Sequence, residues 1–354
     1  MRRIGLHPNH FVAALAVALA LSTGGCFAIH YSLQAGAGEL TLLTQARPID
    51  EFLERSDTPE HLRRLLESVA EVKQFGERAG LKATSSYQRY EQLDRPVAVY
   101  VVSACPELSL SPRLFHFPIA GAVPYLGWFS LRAARDFARS LEDDGLDVNL
   151  RGASAYSTLG WFDDPLLSSM IGEGPEALGA LANTVLHESV HATLYLPGQT
   201  PFNEGLAETL ADHLTGLYLA ANASPRERNA WAEEEARRTK IEEVLHDAAA
   251  RLDAIYRSPI PDDDKRTKKK ELLGALAEQL RLRRPINNAM LAEHRAYAAG
   301  HAGFMHLLDA CSDALPCVFA ALRSLDGKSF AKPNDDQLDP ILDALAERTS
   351  KKSR

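Results

Sequence analysis

Two histidines four residues apart, His187 and His191, dictate more of the structure than any other part of the sequence. Apolar residues recur at three- and four-residue steps around them, and Pro197-Gly198 ends the pattern, so the sequence predicts an amphipathic helix. Positions i and i+4 lie on one face of a helix, so both imidazoles can bind the same metal ion. Glu188 is rotated by about 100° from His187, which suits a base acting on water rather than a ligand.

A zinc ion held by two histidines needs a third protein ligand and leaves its fourth position to water. Glu204 is the candidate, because it follows His191 by thirteen residues in a second predicted helix. Glu208 lies one turn further on the same face, where its carboxylate can accept the outward N–H of a ligand histidine. Two alternatives stay open: Glu204 caps the helix, or Glu208 or Asp212 is the ligand. The expected cofactor is one Zn²⁺ ion.

The N-terminus reads as an export signal. Arg2 and Arg3 precede an apolar run from Phe11 to Leu21, and such a run is too short to cross a hydrocarbon layer about 30 Å thick. Small residues then lead to Cys26, an order that resembles a bacterial lipoprotein cleavage site, although Thr23 stands where such sites usually carry Leu. We expect residues 1–25 to be removed and Cys26 to carry a lipid. The alternative is a plain secretory signal with an incidental cysteine.

Behind the signal, the sequence predicts a lipid anchor and tether over 26–57 and one domain over 58–354. Thr58-Pro59-Glu60 predicts a helix with Thr58 as its N-cap, and the apolar run over 97–102 predicts a buried strand. From Pro175 onward the pattern is almost entirely helical. Residues 224–284 predict two helices separated by a proline-rich break, which is typical of a helical hairpin inserted in the domain. The fold class is therefore α+β, mostly helical, with a small sheet.

Charge and cysteine content exclude some partners and leave one question open. Lys and Arg number 39 against 47 Asp and Glu, and no cluster concentrates the positive charge. We therefore expect no nucleic-acid partner, because phosphate binding needs a basic surface. Cys311 and Cys317 are close enough along the chain to pair in an oxidising compartment, but their spacing does not show the geometry.

Several stretches resemble known proteins. Asn203-Glu204-Gly205 after the two histidines resembles the glutamate-zincin metallopeptidases. Nearly the whole mature chain is similar to a narrower group, the putative aminopeptidase family of bacterial lipoproteins. The stretches that carry this similarity, besides the histidine helix, are residues 31–49, 117–121, 155–166 and 202–204, together with Ile286-Asn287-Asn288-Ala289 and Tyr297. The resemblance implies a zincin-like metallopeptidase core that hydrolyses a peptide or protein substrate, with Glu188 as general base.

The remaining roles follow from that resemblance. A peptidase of this kind needs a hydrogen-bond donor for the developing oxyanion, and the candidates are Tyr297 and Tyr156. Each could instead be a packed tyrosine, and Asn287 and Asn288 could bind substrate or cap a helix. Aminopeptidase and endopeptidase activities both remain open.

The expected location is the bacterial cell envelope, with the chain anchored at Cys26 and facing the periplasm. The outer membrane is favoured because Phe27, not Asp, follows the anchor. The alternative function is a non-catalytic envelope lipoprotein with a structural zinc site. Glu188 speaks against it, because a structural site needs no base beside its ligands.

Overall fold

The computed structural model describes residues 26–117, 121–156, 158 and 163–352. The predicted signal peptide lies outside this range, as does the side chain of Cys26. Parts of two stretches that carry the family resemblance, 118–120 and 159–162, also lie outside it. Among the helices described, none combines the length and the apolar character needed to span a membrane.

The chain is mostly helical, with small sheets, and belongs to the α+β class as predicted. Its helices in chain order are α1 (Cys26–Gln45), α2 (Ile49–Glu54), α3 (Glu60–Ala79), α4 (Leu131–Asp143), α5 (Ala177–Thr193), α6 (Thr200–Asn222), α7 (Pro225–Arg257), α8 (Asp262–Gln279), α9 (Asn288–Ala298), α10 (His301–Ala310), α11 (Leu315–Leu322) and α12 (Asp339–Lys352). Short 3₁₀ turns occupy Ser168–Met170 and Gly327–Ser329.

The strands form three small sheets. They are β1 (Arg47–Pro48), β2 (Arg89–Glu91), β3 (Val99–Pro106), β4 (Phe115–Phe117), β5 (Gly121–Val123), β6 (Tyr125–Trp128), β7 (Leu146–Ala153) and β8 (Leu166–Leu167). The central sheet has the order β6-β3-β7 and is antiparallel throughout, with Ser103 of β3 opposite Tyr125 of β6 and Asn149 of β7. Its β6 edge carries Tyr125, whose hydroxyl contacts Glu204 of α6.

Each face of the central sheet is covered by a helix, because residues along a strand alternate between its faces. Val102 and Ala104 of β3 pack in a cluster with α4. Cys105, on the opposite face, packs against Ala289 and Ala292 of α9. The sheet is thereby held between α4 and α9, and α9 in turn packs on α6.

The main core joins the two central helices to the C-terminal part of the chain. Helices α5 and α6 pack on each other, and α3 packs on α5. Fully buried side chains from six helices share this cluster: Leu65, Leu186, Leu210, Phe304, Phe319 and Leu342. Burying several large apolar side chains stabilises the domain by about 1.5–3 kcal/mol each. The helix that carries both histidines therefore belongs to the main apolar core of the described residues.

Two helices occupy the range of the predicted hairpin. Helix α7 begins after Ser224, whose hydroxyl accepts a hydrogen bond from the Glu227 N–H while the Glu227 carboxylate accepts one from the Ser224 N–H. This reciprocal pair satisfies two backbone donors at a helix start. Helices α7 and α8 share a small apolar cluster with α9, so the hairpin has its own contacts with the rest of the domain.

The start of α3 differs from the prediction. The helix begins at Glu60 with Pro59 in the N-cap position, and the Thr58 hydroxyl donates to the Phe52 carbonyl instead of accepting from the helix. Thr58 thus ties α3 to α2. The helix ends at Gly80, which adopts a left-handed conformation with φ of 112°, as a glycine at this position commonly does.

The segment expected to be a tether is helical and contacts the domain. Helix α1 runs from Cys26 to Gln45, and Leu42 lies in the main core. The Gly127 N–H donates to the Tyr31 hydroxyl at 3.0 Å, and Gln34 Nε2 donates to the Gly127 carbonyl at 3.1 Å. These side chains satisfy the open edge of β6, which would otherwise expose unpaired backbone groups.

Glu39 of α1 is an acid whose burial makes stability depend on pH. Its two carboxylate oxygens are buried and have no hydrogen-bond partner among the described residues. Burial, with a smaller contribution from the nearby Asp164 carboxylate, raises its pKa from 4.5 to about 7. The folded state then binds more protons than the unfolded state between these values, so this contribution to stability falls as pH rises from 4.5 to 7.

Glu39→Gln is expected to stabilise the protein above pH 7 by up to about 3 kcal/mol, and to have little effect at pH 4.5 or below. Urea unfolding of both proteins at pH 4.5 and pH 8 measures the difference. Glu54→Gln, which changes an exposed acid of α2, is the control and should not alter the pH dependence. An equal effect of Glu39→Gln at both pH values would contradict the ionisation argument.

Cys311 and Cys317 form a disulfide bond, with their Cα atoms 5.7 Å apart. The bond closes the turn between α10 and α11, far from the two histidines along the chain. Cys105 is a free thiol buried under α9. The question that the sequence left open is thereby answered by the fold, which brings the two Cβ atoms together across a tight turn.

Candidate metal centre

The centre is built from the end of α5 and the start of α6. Asn203 joins them: its Oδ1 accepts from the Leu196 N–H and its Nδ2 donates to the Leu196 carbonyl, both at 2.8 Å. This pair of hydrogen bonds fixes the short connection between the helices. Pro201 lies in the first turn of α6, where a missing N–H costs nothing. The chain therefore turns back sharply enough for Glu204 to face the two histidines.

Three side chains converge on one point. Nε2 of His187 and Nε2 of His191 are 3.1 Å apart, and Glu204 Oε2 lies 3.4 Å from the first and 3.6 Å from the second. A tetrahedral zinc ion with bonds of about 2.0–2.2 Å separates its ligand atoms by about 3.3–3.6 Å. The three atoms therefore match one face of a zinc coordination tetrahedron, and this group could hold a metal ion.

Glu208, which the sequence left open as an alternative ligand, contacts the side of the His187 ring that faces away from the metal position. Its Oε2 lies 3.4 Å from Nδ1 of His187. A carboxylate at this position accepts the Nδ1–H and leaves Nε2 free as a metal ligand. Nδ1 of His191 is buried and has no hydrogen-bond partner among the described residues, so only one of the two rings is oriented in this way.

Carboxylates lie beside the two imidazoles, and each kind of group shifts the pKa of the other. Burial opposes the charged form of His187, but hydrogen bonds to Glu204 and Glu208 outweigh it and raise the pKa of the ring. Burial also opposes ionisation of Glu204, but the two neighbouring histidines outweigh it and lower the pKa of that carboxyl. An ionised carboxylate next to two imidazoles in a buried site is a donor set that suits a divalent cation.

A tyrosine holds the second oxygen of Glu204. The Tyr125 hydroxyl donates to Glu204 Oε1 at 2.8 Å, while Oε2 faces the histidines. Burial, and then the negative charge of Glu204, raises the pKa of Tyr125 well above its ordinary value, so the hydroxyl remains a donor. The carboxylate is thus fixed with one oxygen toward the metal position and the other toward the sheet.

Tyr297 lies on α9, the helix that packs on α6. Burial raises its pKa most, followed by the charge of Glu204, and Glu188 also contributes. Its hydroxyl therefore stays protonated. Arg151 of β7, which pairs with Glu293, lowers that pKa in part.

Helix α6 approaches the end of α9 very closely beside Glu204. A Cβ atom at Gly205 would lie 2.0 Å from the carbonyl oxygen of Ala299, which is a backbone atom. Only glycine fits at such a distance. The glycine of the Asn-Glu-Gly run therefore has a steric reason: Gly205 lets α6 pack closely against the end of α9.

Other predicted residues lie elsewhere. The Tyr156 ring packs against Phe129, which directly follows β6, with centroids 5.0 Å apart, and burial and then the charge of Glu39 raise its pKa. Asn287 caps α9 by accepting from the Met290 N–H.

Two of the remaining candidates, Asn288 and Asp212, form hydrogen bonds that connect separate elements of the fold. Asn288 accepts a hydrogen bond from the Tyr256 hydroxyl and donates to three backbone carbonyls of the loop after β3. Asp212, one of the alternative ligands, accepts hydrogen bonds from Asn183 and Arg238. Neither side chain is therefore free to take part at the metal position.

Two contributors to the centre carry no signal in the sequence. Tyr125 reaches Glu204 from a strand 79 residues away, and Arg238 reaches Glu208 from a helix 30 residues away. Neither forms a spacing pattern with the histidines.

Tyr125→Phe is expected to weaken zinc binding about 10-fold, because Glu204 Oε1 would lose its donor in a buried site. Competition with a chelating dye measures the dissociation constant. Tyr100→Phe, which removes a hydroxyl from the neighbouring strand β3, should leave it unchanged. Equal zinc affinity of Tyr125→Phe and the unaltered protein would contradict the orienting role.

Comparison with known proteins gives one match. A family model described as "Putative aminopeptidase" covers residues 30–336. Comparison with curated proteins gives no match. Comparison with solved structures gives none either. The matched range includes α5, α6, the central sheet and the hairpin.

Proposed function

Because this chain belongs to the putative aminopeptidase family, we propose that it is a zinc-dependent aminopeptidase whose general base is Glu188. The observation that carries this proposal is the convergence of His187, His191 and Glu204 on one point. Glu188 directly follows the first of these ligands on the same helix. The family supports a peptide substrate, and the side-chain group supports a metal-dependent reaction.

Zinc is proposed on the chemistry of the donors. Two imidazole nitrogens and one carboxylate oxygen form a set found at catalytic zinc sites, which keep a fourth position open. A calcium or magnesium ion prefers a shell of oxygens, and the two histidines oppose that choice. The zincin-like nature of the core is part of the same proposal.

Each residue of the centre has its own proposed role in hydrolysis. When bound, zinc would supply Lewis acidity toward a water molecule and a carbonyl oxygen. The Glu188 carboxylate would take the proton from the attacking water and pass it to the leaving amine. The protonated Tyr297 hydroxyl would donate a hydrogen bond to the carbonyl oxygen as negative charge develops there. Tyr125 and Glu208 would keep two ligands in place and take no part in proton transfer.

Peptide turnover tests the proposal. Residues 27–354, the mature chain without the lipid-bearing cysteine, would be assayed for zinc content and for cleavage of peptides with free or acetylated N-termini. We expect one equivalent of zinc, release of N-terminal residues from free peptides only, and loss of activity after chelation that zinc restores.

Each other outcome has a definite meaning. Cleavage inside acetylated peptides would replace the aminopeptidase by an endopeptidase at the same site. One equivalent of zinc without cleavage of any peptide would favour a lipoprotein with a structural zinc site. Full activity in a protein that holds no metal would contradict the metal-dependent mechanism.

We also propose that the chain is exported to the bacterial envelope and held by a lipid on Cys26, facing the periplasm, with the outer membrane favoured. The signal-like residues 1–25 support this, and so does the Cys311–Cys317 disulfide, because such bonds persist in oxidising compartments. Labelled palmitate should enter the full-length protein in cells and be absent from Cys26→Ser. Equal labelling of both would contradict the anchor.

A further inference from the structure

The guanidinium of Arg238, on the first helix of the hairpin, is directly connected to the metal centre. Its Nη1 donates to Glu208 Oε1 at 2.8 Å, and its Nη2 donates to both oxygens of Asp212 at 2.7 Å. The other oxygen of Glu208 lies 3.4 Å from Nδ1 of His187. A continuous line of polar contacts therefore runs from α7, through one carboxylate of α6, to a metal ligand on α5.

The surroundings of Arg238 fix its position. Its guanidinium lies over the Trp231 ring, 5.9 Å from the centroid, in a cation–π contact. The Trp231 ring in turn packs on Gly179 of α5, where a Cβ atom would come within 2.6 Å of it. Asn183, one turn further along α5, donates to Asp212 at 2.8 Å. The hairpin helix is therefore docked against the helix that carries both histidines.

The charges of two carboxylates explain why a cation is needed at the position of Arg238. Glu208 and Asp212 lie one turn apart on α6, and both carboxylates contact the Arg238 guanidinium at partly buried positions. Two carboxylates in such a space repel each other unless a cation separates them. Arginine suits the position because its planar fork can bind both carboxylates at once, whereas lysine offers a single charged nitrogen.

We propose that Arg238 is a positioning residue of the metal centre, and this inference rests on the proposed function. It holds Glu208 so that Oε2 accepts the Nδ1–H of His187, which keeps Nε2 directed at the metal position. The hairpin is then not an appendage of the domain. It supplies an arginine without which one ligand histidine has no fixed orientation.

The test measures zinc and cobalt binding to the mature chain, residues 27–354. Arg238→Gln is expected to raise the zinc dissociation constant about 10- to 100-fold, the range typical of lost outer contacts at metal sites. The visible absorption of the Co²⁺-loaded variant should also change, since the His187 ring becomes free to turn. Arg238→Lys should recover part of the affinity.

Arg237→Gln is the matched control. Arg237 is exposed, precedes Arg238 on the same helix and pairs with Glu234 of that helix. It should leave the zinc dissociation constant and the cobalt spectrum unchanged. Any general loss of helix stability by removal of an arginine would affect both variants.

A double variant separates positioning from a purely structural role. If Arg238 acts through Glu208, then Arg238→Gln should change zinc affinity little when Glu208→Gln is already present. Additive losses, or an unchanged dissociation constant in Arg238→Gln, would overturn the inference. If the unaltered protein itself bound no zinc, the proposed function would fail first, and the two failures are therefore distinguishable.

Discussion

Replacing Glu188 by glutamine is expected to lower kcat/KM for peptide hydrolysis by about 10³-fold while one equivalent of zinc stays bound. Glutamine keeps the size of the side chain and its place on α5, but its amide cannot accept the proton from water. The three proposed ligands are untouched, so the metal content should not change. Initial rates with a free peptide, together with metal analysis of the same sample, measure both quantities.

We expect the Glu188→Gln substitution to lower kcat more than it changes KM. A general base acts in the transition state and contributes little to substrate binding, so the two parameters separate its role from a binding role. Glu173→Gln changes an exposed acid just before the same helix and should retain full activity. Unchanged turnover in Glu188→Gln would exclude Glu188 as the base, and simultaneous loss of zinc would instead indicate a ligand.

His187→Ala and Glu204→Ala are each expected to abolish stoichiometric zinc binding. Each change removes one of three protein ligands, which costs more than the roughly 100-fold that loss of an outer contact causes. Loss of His187 also leaves Glu204 and Glu208 without their shared partner in a buried site. Metal analysis after gel filtration and competition with a chelating dye measure the effect, and activity should fall in parallel.

His213→Ala is a suitable control for this pair. His213 lies on α6, the same helix as Glu204, but its Nε2 faces Asp313 at 3.8 Å. Zinc content should not change in this variant. Glu208→Ala tests the alternative ligand that the sequence left open, and we expect it to weaken zinc binding without abolishing it. One equivalent of zinc in Glu204→Ala, or none in His213→Ala, would refute the ligand assignment.

Local patterns predicted the helices well. The step of three and four residues around His187 predicted α5, and the pattern over residues 224–284 predicted the two helices α7 and α8. These signals depend on contacts within a few residues, and such contacts are fully specified by the order of side chains. Glu204 was found for a similar reason, because the second helix follows after a short connection.

Prediction from local patterns failed where a side chain bonds to a part of the chain outside its own pattern. The hydroxyl of Thr58 was expected to cap α3, but the Phe52 carbonyl takes its hydrogen bond. Residues 26–57 were expected to be a tether, yet Tyr31 and Gln34 of α1 bond to Gly127, more than 90 residues away. Neither hydrogen-bond partner, the Phe52 carbonyl or Gly127, can be predicted from the neighbouring sequence, because each contact depends on how the chain packs in three dimensions.

The sequence by itself determined the metal-ligand candidates, because helical periodicity places His187 and His191 on one face and a short connection limits where the next carboxylate can lie. It also determined the candidate for the base, since Glu188 directly follows His187 along the chain. Only the tertiary structure decided how those groups are oriented. Tyr125 fixes Glu204 and Arg238 fixes Glu208 across long separations. Such contacts exist only after the sheet and the hairpin have packed against α5 and α6.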